Sequence, residues 1–143
     1  MASLIREKSM NERNTEPLDE RDRCRLLLID DEPMVGQAIR RLLSDSHDVV
    51  IADGGTAALE VLSYDQEFDA IICDLAMPGL DGPAVHERLS ERQPRLAEVM
   101  VFCTGGAFSA SMTTFLSAVR NPVVEKPVRI TQLLDAIGNV TRR

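Results

Sequence analysis

Ile71-Ile72-Cys73-Asp74-Leu75-Ala76-Met77-Pro78-Gly79-Leu80-Asp81-Gly82 is the stretch that decides the fold. A short apolar run ends in an acid, and a Met-Pro-Gly turn follows before amphipathic sequence resumes. Such a run between turn signals reads as a strand buried on both faces, the habit of parallel sheets. Asp74 then becomes an exposed carboxylate on a rigid support at the strand's end. Asp81-Gly82 reads as a turn and a helix start rather than as a further metal-binding acid.

The same grammar recurs on either side. LLLI ends in Asp30-Asp31, VMVFC ends in Thr104 and VVE ends in Lys126. Strands are expected near 25–30, 48–52, 69–73, 99–103 and 122–125, with helices near 33–45, 55–64, 82–92, 108–119 and 128–140. In the first helix Val35, Ala38, Ile39, Leu42 and Leu43 fall on one face, with Pro33 suited to the first turn. Ile130, Leu133, Leu134 and Ile137 repeat that face in the last. Pro94 is expected to end the third helix, and Gly54-Gly55 and Gly105-Gly106 to form tight strand-to-helix turns. Five βα units around one core imply an α/β fold with a parallel sheet covered on both faces.

At 143 residues the chain is long enough for one domain with a real core. Aromatics make up only 3%, so Leu, Ile, Val and Ala must supply the packing. The net charge of −7 argues against nucleic acid or an anionic membrane as a direct partner. No apolar run approaches the roughly 18–20 residues that span a bilayer, and MASLIREKSM lacks a signal-peptide core, so a cytoplasmic location is expected. Residues 1–23 carry five basic and six acidic residues without periodicity and read as a flexible charged tail or linker before a domain over 24–143. Cys24, Cys73 and Cys103 have no metal-binding spacing and read as small buried hydrophobes; a redox pair of Cys73 and Cys103 is the less favoured reading. Of 16 cationic side chains only Lys8 and Lys126 are lysines, which suggests that a compact point charge is wanted at 126.

In an open parallel sheet the carboxyl ends of the strands share one edge, where ligands bind. Asp30, Asp31 and Asp74 would meet there with Thr104 and Lys126. Carboxylates so close repel one another unless a hard divalent cation and the ammonium compensate. The group suits magnesium beside a phosphoryl group carried on an aspartate: Asp74 as nucleophile, Asp30-Asp31 holding the ion with the Ala76 carbonyl as a backbone ligand, Thr104 and Lys126 on phosphoryl oxygens. Taken singly, each feature has a plainer explanation. Asp-Asp-Glu-Pro could simply open a helix, and Thr104 and Lys126 could be ordinary strand-end residues. Their joint occurrence, each at the end of a different strand, favours a site.

The pieces L-L-I-D-D-E-P, I-I-C-D-L-A-M-P-G-L-D-G, C-T-G-G and V-E-K-P, in that order, resemble the receiver domain of bacterial two-component response regulators. The resemblance covers about four-fifths of the chain, from Arg25 to Val140. It implies a flavodoxin-like (βα)5 fold with sheet order 2-1-3-4-5. It also implies Asp74 as phospho-acceptor, Asp31 as direct magnesium ligand with Asp30 acting through water, Ala76 as backbone ligand, Thr104 as switch hydroxyl and Lys126 as phosphate contact. The implied partner is a histidine kinase or a histidine phosphotransfer protein. A homodimer through the face of the 108–119 helix, the last strand and the last helix is also implied. The stretch from Thr104 to Pro127 looks especially like receivers attached to hybrid histidine kinases.

Departures from the family pattern matter. Many members carry an aromatic residue three positions before the lysine, where this chain has Val123, so coupling through such a ring is in doubt. Ala76 and Gly106, two positions past Asp74 and Thr104, offer no polar side chain to guide an attacking water. His86-Glu87-Arg88-Leu89 superficially resembles a kinase phosphohistidine box, but a surface histidine explains it better. The expected protein is therefore a self-phosphorylating and slowly self-dephosphorylating receiver, either stand-alone or part of a hybrid kinase. Two other readings compete: a phosphorylation-independent interaction or dimerisation module with a vestigial site, and a small-molecule phosphohydrolase. The last is disfavoured because Ala76 stands where an Asp-x-Asp motif would place its second acid.

Overall fold

Strands β1 (Cys24–Ile29), β2 (His47–Ala52), β3 (Ala70–Asp74), β4 (Met100–Thr104) and β5 (Val123–Glu125) pair in parallel in the order β2-β1-β3-β4-β5. Helices α1 (Pro33–Leu43), α2 (Gly55–Tyr64), α3 (Gly82–Arg92), α4 (Pro94–Glu98), α5 (Ala110–Ala118) and α6 (Ile130–Thr141) surround the sheet. The structure is a computed structural model that describes residues 23–106 and 109–142. The tail expected over 1–23 lies outside these residues except for Arg23, as does Phe108 of the helix expected over 108–119. Among the described residues no helix is long and apolar enough to cross a membrane.

Alternation along the central strands divides the core in two. Leu27, Ile29, Ile71, Cys73, Met100 and Phe102 face one side, where α2, α3, α4 and α5 pack. Leu26, Leu28, Ala70, Ile72, Val101 and Cys103 face the other, under α1 and α6. Successive side chains on a strand point to opposite faces, so strands covered on both sides must be apolar throughout. Cys73 and Cys103, though on neighbouring strands, therefore sit in separate cores. Both are buried and free, and burial raises each thiol pKa, so they behave as packing residues rather than a redox pair.

The chain enters mid-sheet, crosses to β2 and returns to β3 on the other side of β1. The connection after β1 thus leads to one face and the connection after β3 to the other. Their divergence opens a crevice at the carboxyl ends of the two strands.

The strands and long helices lie within two residues of expectation, with three corrections. Pro94 stops α3, whose last residue is Arg92, as expected. It also begins the unexpected helix α4, whose Leu96 and Ala97 are buried, because proline is tolerated in a first turn that has no amide to satisfy. In α1 the buried residues are Gly36, Ile39 and Leu43, whereas Leu42 is 60% exposed and Ala38 is also exposed. Gly36 replaces them, because its missing side chain lets the helix approach Ile51 and Leu28. In α6 the inward residues are Leu133, Ala136, Ile137 and Val140, leaving Leu134 exposed.

Two arginines close the amino-terminal edge of the sheet. Arg23 donates to Asp48 and to the carbonyls of Ser44, Asp45 and His47. Arg25 makes a two-pronged contact with Asp65 at 2.9 and 2.7 Å, and its guanidinium lies over the Phe68 ring.

Candidate functional site

Backbone hydrogen bonds between neighbouring strands anchor the site. The Asp30 amide donates to the Ala52 carbonyl, the Leu75 amide to the Cys103 carbonyl, and the Lys126 amide to the Thr104 carbonyl. Asp74 and Thr104 are the last residues of β3 and β4, and Asp30 and Lys126 are the first after β1 and β5. Their positions are thus fixed by the sheet rather than by a loop.

The carboxylates converge as the sequence implies. Asp30, Asp31 and Asp74 each offer an oxygen, and these atoms all lie within 4.8 Å of one another. Asp74 is not the exposed carboxylate expected from its turn. It is only 6% exposed, because Lys126 and the loops after β1 and β3 crowd over it. Lys126 Nζ donates to Asp74 Oδ2 at 3.0 Å and lies 3.6 Å from Asp30 Oδ2. The other oxygen of Asp74 faces the Ala76 amide at 3.4 Å, and Asp30 Oδ1 accepts from the Glu32 amide at 2.9 Å.

The electrostatics follow from burial. Burial pushes the Asp30 pKa up, against the opposing Glu32 hydrogen bond and Lys126 charge, and the Asp74 charge adds to the rise. For Lys126, burial alone would lower the pKa; its hydrogen bond to Asp74 and the charges of Asp30 and Asp74 outweigh that, and the pKa rises. The ammonium is therefore firmly charged while the acids remain short of positive charge. Oxygen donors crowded in this way, partly buried and negative in sum, suit a hard divalent cation.

Thr104 lies on the far side of Asp74 from β1. It is buried, and its Oγ1 accepts from the Gly106 amide at 3.3 Å. Together with Leu75, Ala76, Gly105, Gly106, Ser109 and Met112 it lines a cleft of about 320 Å³. Small residues at 76, 105 and 106 leave that cleft open beside the carboxylate.

The turns that aim these groups need their glycines at two places. Gly79, in the Met-Pro-Gly turn, has φ +75, a left-handed conformation that side chains disfavour. A Cβ on Gly55 would collide with the carbonyl oxygen of Leu80, so the α2 start and the β3 loop could not close together. Asp81 caps α3 by accepting from the Ala84 amide at 3.0 Å, which agrees with a turn and helix start there.

Two expectations nearby are corrected or sharpened. His86 is no surface histidine. Its ring is half-buried and packs 5.8 Å from Phe102 and 5.4 Å from Phe115, centroid to centroid. Nothing in the local sequence signals this, since the partners belong to β4 and α5. Val123 pairs in register with Phe102 on the edge strand and is 41% exposed.

Comparison with known proteins agrees with this fold. The positive alginate biosynthesis regulatory protein of Pseudomonas aeruginosa is 35% identical over 82% of this chain and 47% of its own length. The sensor protein TorS of Escherichia coli is 29% identical over 75% of this chain but 12% of its own length. The chain thus spans about half the length of the first relative and a small part of the second. A response regulator receiver domain protein from Clostridium thermocellum superposes with a TM-score of 0.75 at 26% identity, covering 84% of this chain and 95% of that one. Residues 26–138 match the family described as the response regulator receiver domain, and it is to this family that the chain belongs.

Proposed function

We propose that Asp74 is the phospho-acceptor of a two-component phosphorelay. The observation that carries this reading is the meeting of Asp30, Asp31 and Asp74 within 4.8 Å, with Lys126 3.0 Å from Asp74. A carboxylate oxygen of Asp74 attacks the phosphorus of a phosphohistidine on a kinase or phosphotransfer protein. The P–N bond breaks as the P–O bond forms, and the departing imidazole keeps the electron pair and takes up a proton. Lys126 is placed to pair with a phosphoryl oxygen once Asp74 has surrendered part of its charge. Thr104 Oγ1 would donate to another. Neither group has to travel far, which matters in a reaction governed by positioning and charge.

Asp31 directly, Asp30 through water, a carboxylate oxygen of Asp74 and the Ala76 carbonyl would hold magnesium. Bound there, the ion would neutralise charge on the phosphoryl oxygens. The domain is assigned to 24–143, with 1–23 as a charged tail or linker. A cytoplasmic setting, use of small phosphodonors such as acetyl phosphate, and origin in a hybrid histidine kinase all accord with this reading; the match to part of a sensor protein supports the last. A homodimer through α5, β5 and α6 would place phosphorylation-sensitive elements at the contact. The net charge of −7 favours neither nucleic acid nor an anionic membrane as partner.

Beryllium fluoride, an imitator of the phosphoryl group, tests the proposal. With magnesium it should perturb amide NMR signals around Asp74, Thr104 and Lys126, and Asp74→Asn should abolish the effect. An unchanged spectrum would favour an interaction module with a vestigial site.

A further inference from the structure

Helix α5 is held to the sheet by little. None of its residues is buried; Met112, Phe115, Leu116 and Val119 just beyond its end reach the core only in part. Its best-defined attachment is a three-ring cluster. Phe115 meets Phe102 of β4 edge-on at 5.3 Å, and His86 of α3 closes the triangle at 5.4 and 5.8 Å. A ring that belongs to neither the strand nor α5 therefore completes the seat of this helix.

Burial, rather than hydrogen bonding, favours the neutral ring of His86. Asn121 donates its two amide hydrogens to the carbonyls of Ala97 and Met100, both at 2.9 Å. Its oxygen is thereby the atom left to accept from the histidine. Ser90 Oγ lies 3.4 Å from Nδ1 and can serve as donor or acceptor, so a second ring proton would lose no partner. The penalty for charging the ring is desolvation.

The charged groups on every packed element give that charge little relief. On α3 they are Glu87, Arg88, Glu91 and Arg92, all exposed; on α4, Arg95 and Glu98; after α5, Arg120. β4 offers only Cys103, which faces the opposite core, and α5 has no ionisable side chain. Burial lowers the His86 pKa, the Asn121 hydrogen bond opposes it, and no neighbouring charge contributes to the shift.

We propose that His86 is a proton-operated latch on helix α5: the neutral ring completes the Phe102–Phe115 seat, and protonation loosens the helix. The sign is fixed by linkage. A detached His86 titrates near the ordinary value of about 6.5, and the seated ring below it. Above that value both forms are neutral and the seat costs nothing. As pH falls through the interval between the two pKa values, the detached form binds the proton and gains population. The device rests on packing around α5 and does not require Asp74 to be phosphorylated.

Hydrogen exchange on the whole chain tests it. Amide protection in α5, corrected for intrinsic exchange and referred to α6, should fall several-fold between pH 7.5 and 5.5. His86→Leu should make the ratio independent of pH while leaving beryllium fluoride binding intact. His86→Gln, polar but not titrating here, guards against a leucine variant that packs poorly. The proposal is overturned if α5 protection is equally flat in the unmodified protein. It is also overturned if the drop persists in both variants, or if the His86 ring titrates by NMR at or above 6.5. Absence of beryllium fluoride binding would sink the phospho-acceptor reading and leave this result standing.

Discussion

Lys126 carries more electrostatic responsibility than any other side chain at the sheet edge, since it approaches both Asp30 and Asp74. Replacing it with methionine leaves two largely buried carboxylates facing each other. The side chain is 22% exposed, so solvent softens the cost. Lys126→Met should destabilise the metal-free protein by about 1–3 kcal/mol, toward the low side of what breaking a buried pair costs. Adding Asp30→Asn should recover part of the loss, and urea unfolding of the two variants measures both. Asp30→Asn alone should raise the metal-free melting temperature at pH 7, because burial raises the Asp30 pKa and its ionised form is a burden at that pH. The same change should weaken magnesium binding at least about tenfold, by titration calorimetry. Ala76 and Gly106 make a different point: neither has a polar side chain to position a water. Ala76→Asn or Gly106→Glu should change the rate of acyl-phosphate loss several-fold, whereas a rate unmoved in both would show that this cleft does not govern hydrolysis. The placement of the six candidate residues near one edge of the sheet was legible in the sequence, because each ends, or closely follows, an apolar run. The depth of Asp74 was not legible, since it depends on Lys126, 52 residues away.

At the scale of elements, periodicity revealed what was long and patterned and missed what was short. Helix α4 has five residues, too few for a repeating face, and its Pro94 is equally a stop signal and a start signal. The faces of α1 and α6 were misread where a small residue, Gly36 or Ala136, lies inward in place of a leucine. Hydrophobicity scales rank the leucine higher, but the distance between helix and sheet decides. The connections between elements give the firmest predictions. Asp81→Ala removes the α3 cap and should cost about 1 kcal/mol. Gly55→Ala should cost about 1–3 kcal/mol, because its new Cβ meets backbone rather than a yielding side chain. Thermal unfolding of both should show the glycine variant at least as damaged, although alanine is ordinarily the better helix former.

For the molecule as a whole, pH acts on the fold through two partly buried histidines and through Asp30. Burial lowers the pKa of both His47 and His86, and the Arg23 charge adds to the effect at His47. Their contribution is complete above the unfolded value of about 6.5 and is lost as pH falls toward the depressed folded values. Asp30 has the opposite sign: its raised pKa means that acidification relieves a cost carried at neutral pH. Without metal, melting temperature should therefore decline from pH 7 to 5.5, and replacing both histidines should flatten that decline. A divalent ion held as proposed would change the balance, because it would bind the ionised carboxylates. At a hundred times its dissociation constant it would stabilise the folded chain by about 2.7 kcal/mol. Protons would compete with it at Asp30, whose pKa burial raises, so the gain in melting temperature should shrink as pH falls toward the carboxylate range. Calorimetric scans with and without magnesium at pH 7.5, 6.5 and 5.5 resolve the two contributions. A magnesium increment independent of pH, or one retained in full by Asp30→Asn with Asp31→Asn, would mean that the ion binds away from these acids.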